Sequence, residues 1–111
     1  MSTITWFDFE KVEIRVGTIV KVEDFPEAKK PAFKLWVDLG ELGIKQSGSQ
    51  ITVVYSKDEL VGKQVICVTN FPSKQIGKFV SEVLITGFAD KEGHVVLSQP
   101  EREVPNGARL Y

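Results

Sequence analysis

The feature that most constrains this chain is an alternation. Between positions 11 and 23, Val12, Ile14, Val16, Val20 and Val22 interleave with Lys11, Glu13, Arg15, Lys21 and Glu23. A period of two places the first set on one face of an extended chain and the second on the other. Residues 11–23 are therefore predicted as a strand with its aliphatic face toward the core, Ile19 being the exception. Gly17, in its middle, suggests a bulge or a sharp bend of the kind small barrels need. A second alternation follows over 32–39. Phe33, Leu35, Val37 and Leu39 face the core, and Lys34, Trp36 and Asp38 face away. Between the two lies Asp-Phe-Pro-Glu-Ala-Lys-Lys-Pro (24–31). Its prolines cannot donate to a ladder, so it reads as a connection.

The same reading carries the rest of the chain. Residues 40–48 form a loop holding Lys45, Gln46 and Ser47. Ile51, Val53 and Tyr55 alternate with polar neighbours as a third strand. Ser56-Lys-Asp-Glu59 fits a capping box for a short helix that ends at Gly62. Residues 64–71 are apolar on both faces at their centre, as a buried strand is. A loop follows with Pro72, Lys74, Gly77 and Lys78, then a strand over 79–88, a turn at Asp90–Gly93 and a return over 94–97. Short strands with one short helix after the third point to an all-β fold. A five-stranded OB-fold barrel is the best match, and an SH3-like barrel or a β-sandwich is the runner-up. A length of 111 residues gives one domain, over about 8–111, with an aromatic extension at 1–10.

Composition excludes more than it assigns. One cysteine, Cys67, permits no intrachain disulfide, and its apolar neighbours mark it as structural. No apolar run approaches the ~20 residues of a membrane span, and the first residues lack the pattern of a signal peptide. A cytoplasmic protein that does not insert into membranes is the expectation. His94 is the single histidine and sits beside valine, without metal-type spacing to Cys67. No nucleophile elbow, phosphate-binding loop or dinucleotide fingerprint is present, so neither catalysis nor a cofactor or metal is expected.

Charge is distributed unevenly. The net charge is −1, yet residues 27–80 hold eight lysines against five acids, while both ends are acidic. A positive face on a neutral protein suits an extended polyanion. Lys34, Lys45, Lys74 and Lys78 supply cations, and Gly77 lets a ligand backbone approach. Gln50, Asn70 and Ser81 add polar groups beside them. The alternative is a solvated loop. Trp36 is a large ring on the polar side of its strand: either a stacking platform for a base or a contact covered by a loop or partner. Trp6, Phe7 and Phe9 cover an open barrel end or meet a second subunit.

Family resemblance adds to these readings. The opening Asp8-Phe-Glu-Lys-Val-Glu-Ile-Arg-Val-Gly17 resembles that of the tRNA-binding domain family. So do Phe25-Pro-Glu-Ala28, Val37-Asp-Leu-Gly40, Lys45-Gln46-Ser47, Glu59-Leu-Val-Gly-Lys-Gln-Val65, Val68-Thr-Asn-Phe71 and Phe79-Val-Ser-Glu-Val-Leu84. Within the family the chain is similar, from end to end, to a subgroup of secretion-related chaperones. The resemblance implies an OB-fold homodimer whose terminal extensions, with Trp6, Phe7, Phe9 and Leu110, build the interface. It also implies tRNA as a partner, held by Lys34, Lys45, Gln50, Asn70, Lys74, Lys78 and Ser81. Unfolded or export-bound polypeptides are the second implied partner, held by Trp36, Phe71 and Phe79.

Overall fold

The computed structural model describes residues 1–111. A short helix α1 (Trp6–Glu10), closed by a reciprocal Thr5–Asp8 capping box, precedes the first strand. Strands β1 (Ile14–Asp24), β2 (Phe33–Asp38) and β3 (Ile44–Ser49) follow, then helix α2 (Lys57–Leu60) and β4 (Gln64–Val68). The last third holds β5 (Lys74–Ile76), β6 (Phe79–Ser81), β7 (Leu84–Ile85), β8 (Gly87–Ala89) and β9 (Val95–Leu97). Five strands form one antiparallel sheet in the order β3-β2-β1-β4-β7. The sheet curls until β3 meets the segment after β6, where Glu82 N–H donates to the Gln46 carbonyl at 2.8 Å. The result is a nearly closed OB-fold barrel with its short helix between the third and fourth strands.

Ile19, Leu35, Val37, Leu39, Leu60, Val65 and Cys67 fill the barrel and are fully buried. The β2 alternation stands as read. That of β1 does not. Its pairing with β2 slips between Ile19 and Lys21, leaving Val20 as the extra, exposed residue of a bulge. Ile19 was the visible sign of this change of phase. In the first half of β1 the inward face belongs to Gly17, whose absent Cβ would lie 2.4 Å from Val37 Cγ1 and 2.7 Å from Leu39 Cδ2. Gly17 therefore admits the neighbouring strand rather than making the bulge. Val16 is buried on the opposite face, and Val12 is exposed. Beside Val16, the tail bonds along the edge of β1: Gly107 N–H to the Val16 carbonyl, Val16 N–H to Ala108 and Leu110 N–H to Ile14.

Three more expectations change. The third strand is 44–49, not 51–55: the turn after β2 is tight, so the chain re-enters the sheet early. Ile51 and Tyr55 still reach the core, but from a loop, and the Tyr55 hydroxyl accepts from Leu97 N–H at 3.0 Å. The basic loop is a hairpin, with Gly77 and Lys78 linking β5 to β6 and Gly77 at φ +63°. The strand expected over 79–88 is broken into β6, β7 and β8, so that one run closes the barrel, pairs with β4 and starts a hairpin with β9.

Candidate nucleic-acid interface

The outward face of β2 carries Lys34 and Trp36, and the β5–β6 hairpin folds over it. Phe79 is the wedge. It packs edge-to-face on Phe25 (5.1 Å between centroids) and on Trp36 (5.9 Å). Phe25, Ala32 and Phe79 make a second small core, supported by Ala28, Trp36 and Ile76. Trp36 donates its indole N–H to Gln46 Oε1 at 3.1 Å, and Lys21 Nζ stands 4.6 Å from the ring centroid. Its ring is thus engaged by Phe79, by Lys21 and through its only donor. Phe79 is 7% exposed and supports the neighbouring groups from below rather than offering a ring to a polypeptide. Lys34 Nζ lies 5.1 Å from the Phe25 centroid and 3.3 Å from Glu27 Oε2.

The lysines divide. Lys74 and Gln50 share a cleft of about 610 Å³ with Lys29, Lys30, Glu27 and Gly77, between the β1–β2 connection and the hairpin. Lys78 follows at the hairpin tip. None of Lys29, Lys30, Lys74 and Lys78 has a carboxylate within 4.0 Å, whereas Glu27 is matched by Lys34. Three uncompensated ammonium groups lining one cleft, with a fourth at the adjoining hairpin tip, favour phosphates without reading sequence.

The other expected residues lie elsewhere. Lys45 lines a separate pocket of about 380 Å³ with Asn70, Phe71, Glu13 and Glu82, and its Nζ is 4.0 Å from Glu82. Asn70 is a latch: Oδ1 accepts from Glu13 N–H at 3.0 Å and Nδ2 donates to the Lys11 carbonyl at 2.7 Å. Ser81 Oγ accepts from Gly48 N–H at 3.1 Å across the barrel seam. Both polar groups are committed to the fold, so neither is placed to read a base. Phe71 remains an open ring, 57% exposed.

Residues 14–109 match a family model described as "Putative tRNA binding domain". The chain belongs to the tRNA-binding domain family. Two solved structures resemble it along its whole length. The chaperone CsaA from Bacillus anthracis str. Ames is 44% identical with a TM-score of 0.92, covering 99% of this chain and 100% of that one. The CsaA chaperone protein from Picrophilus torridus is 47% identical with a TM-score of 0.91, covering 98% and 100%. The chain is thus a CsaA-like member of the family. The methionine–tRNA ligase of Methanococcoides burtonii is 37% identical over 97% of this chain, which spans only 16% of that ligase.

In this tRNA-binding domain three functional candidates escape the sequence reading. The pattern marks Lys29 and Lys30 only as part of a proline-bounded connection, although Lys-Lys between two prolines is itself a signal of a stiff, exposed cationic loop. Gln46 was placed in a loop. It instead joins Trp36 to the hairpin, donating Nε2 to the Val80 carbonyl at 2.8 Å. His94 meets Asp90 and Glu92 at the β8–β9 hairpin tip. Asp90 Oδ1 accepts the amides of His94 and Glu92, which holds its carboxyl below the usual range, so its role there is that of a turn cap. Trp6 and Phe7 are 75% and 68% exposed, Phe9 meets Trp6 edge-to-face, and Leu110 is exposed nearby in sequence to the tail edge. The aromatic extension therefore does not plug the barrel. No helix is long and apolar enough to cross a membrane.

Proposed function

We propose that this chain is a CsaA-like homodimeric chaperone that binds tRNA and holds segments of unfolded or export-bound polypeptide in the cytoplasm. One observation carries the tRNA reading: Lys29, Lys30 and Lys74 line one cleft with no carboxylate partner, and the equally unpaired Lys78 follows the cleft-lining Gly77 at the hairpin tip. Gln50 lies on its wall, and Lys34 contributes by neutralising Glu27. Lys45 and Asn70, on the other pocket, are outside this interface. The likeness to CsaA along the whole length supports the chaperone reading. The open Trp6, Phe7 and Leu110, with Phe9 behind them, support pairing of two copies through the extensions.

A gel-shift titration with bulk tRNA at low salt tests the interface. Wild type shifts the RNA, and log affinity falls with log salt at a slope of roughly −3 to −4 if four phosphates are neutralised. Alanine at Lys29, Lys30, Lys74 and Lys78 together abolishes the shift. Retention of wild-type affinity by that variant would rule the cleft out. A second reading, a dimeric tRNA-binding protein without chaperone action, is favoured by the same four cations. Protection of a denatured client from aggregation at stoichiometric protein separates the two.

A further inference from the structure

The basic cleft is one end of a longer depression. Its Lys30 and Gln50 also line a hollow with Pro31, Val53, Val54 and His94. That hollow shares Pro31, Val53 and Val54 with a wider one of about 810 Å³, bounded by Pro26, Tyr55, Asp24 and Glu59. The three together run from a carboxylate-bearing end, past aliphatic walls, to the lysine end.

The middle of this groove is unlike the rest of the surface. Val53 and Val54 are 68% and 41% exposed, and the floor is the buried Phe25, Ala32 and Phe33. Residues 50–55 turn through Thr52–Val54, and no backbone amide or carbonyl among them bonds to another part of the protein. Apart from the buried Ile51, these residues border the groove with main-chain groups that no other part of the protein engages. At the far end Lys57 is paired with Asp24 at 2.9 Å, and Glu59 Oε1 accepts from Ser56 N–H at 2.7 Å. That end holds two carboxylates and one spoken-for cation, which repels phosphate. Of its aromatic rings, Phe25 and Phe33 are buried, and Tyr55 is half-buried with its hydroxyl bonded to Leu97 N–H and Lys63 Nζ 6.0 Å from its ring centroid, so no ring is left open for a base.

We infer that this groove holds an extended polypeptide segment with aliphatic side chains at its centre, a basic residue toward Asp24 and Glu59 and an acidic residue toward Lys30 and Lys74. The main chain of such a segment meets the free groups of residues 50–55, its side chains displace water from Val53, Val54 and the two prolines, and the charge gradient sets its direction. The site rests on the chaperone reading and deepens it. It moves polypeptide binding away from Trp36 and Phe79, whose rings are engaged, and sets it beside the RNA cleft with Lys30 and Gln50 common to both.

The test uses a fluorescein-labelled decapeptide of leucine and serine with lysine at its N-terminal end and glutamate at its C-terminal end, followed by anisotropy. Val53 is exposed enough for Val53→Asp to fold, and circular dichroism checks this. Val53→Asp is expected to weaken the peptide about tenfold, as loss of a central apolar contact does, and to leave bulk-tRNA affinity within about twofold. The peptide with its two charged ends exchanged is expected to bind wild type more weakly. Unchanged peptide affinity in Val53→Asp, or a loss of tRNA rather than peptide binding, overturns the site while leaving the chaperone reading intact. No binding of either peptide to wild type, with no protection of a denatured client, overturns the chaperone reading itself.

Discussion

At the scale of single residues, two buried positions decide most. Gly17 leaves no room for a methyl group: a Cβ there meets Val37, Leu39 and, at 2.8 Å, the Asp38 carbonyl oxygen. One of those three is backbone and cannot rotate away. Gly17→Ala is expected to cost about 1–3 kcal/mol by overpacking, measured as a lower urea midpoint at unchanged slope. Burial pushes the Cys67 thiol up to about 12. Below the ordinary thiol range both folded and unfolded chains keep the proton, and this residue adds no pH dependence. Above it the unfolded chain ionises first, so the stability contributed by the neutral buried thiol is lost as pH rises toward 12. Between about pH 8 and 10.5, wild type should lose more stability than Cys67→Ala, read as the difference in their urea midpoints. Native Cys67 should also resist a thiol reagent that labels it at once in denaturant.

At the scale of elements, the β5–β6 hairpin has no ladder to the main sheet and is held chiefly by Phe79, with Gln46 and the Ser81–Gly48 bond beside it. Phe79→Ala is expected to cost about 3–5 kcal/mol and to free the hairpin. Hydrogen exchange of the β5–β6 amides should then rise far more than that of β1, while tRNA affinity falls because Lys74 and Lys78 lose their position opposite Lys29 and Lys30. The elements also show what sequence reading reaches. β2 was legible because Phe33, Leu35, Val37 and Leu39 are large, unbroken in phase and buried on one side. β1 was legible as a strand but not in its facing, because a bulge reverses the phase and Ile19, the one residue out of step, shows that the phase changes without showing where. β3 was missed because Ile-Lys-Gln-Ser-Gly-Ser has a single branched residue, Ile44, and no aromatic to mark it as a strand. Gly48 is small there for a tertiary reason: a Cβ would come within 2.9 Å of Phe25. The lysines were legible as a charge excess, but their division between two pockets depends on registers that only the folded chain sets. Asn70 and Ser81 looked available for a ligand because their partners, Glu13, Lys11 and Gly48, are distant in sequence.

At the scale of the whole molecule, the aromatic extension stands clear of the barrel. Trp6→Ser with Phe7→Ser should therefore leave the far-ultraviolet dichroism intact and, on the proposed pairing of two copies, shift sedimentation velocity from dimer to monomer; an unchanged sedimentation coefficient would overturn pairing through the extension. The closure of the barrel has a further consequence. Four of the five strands' junctions are ladders, but β3 meets the segment after β6 through one main-chain bond and the side chains of Gln46, Ser81 and Glu82. A ring fastened by a clasp uncurls before it unravels. Parted there, the molecule keeps an intact curved sheet and shows a concave lining of leucine, valine and isoleucine, so its first excursion from the native state is itself a sticky, open hand.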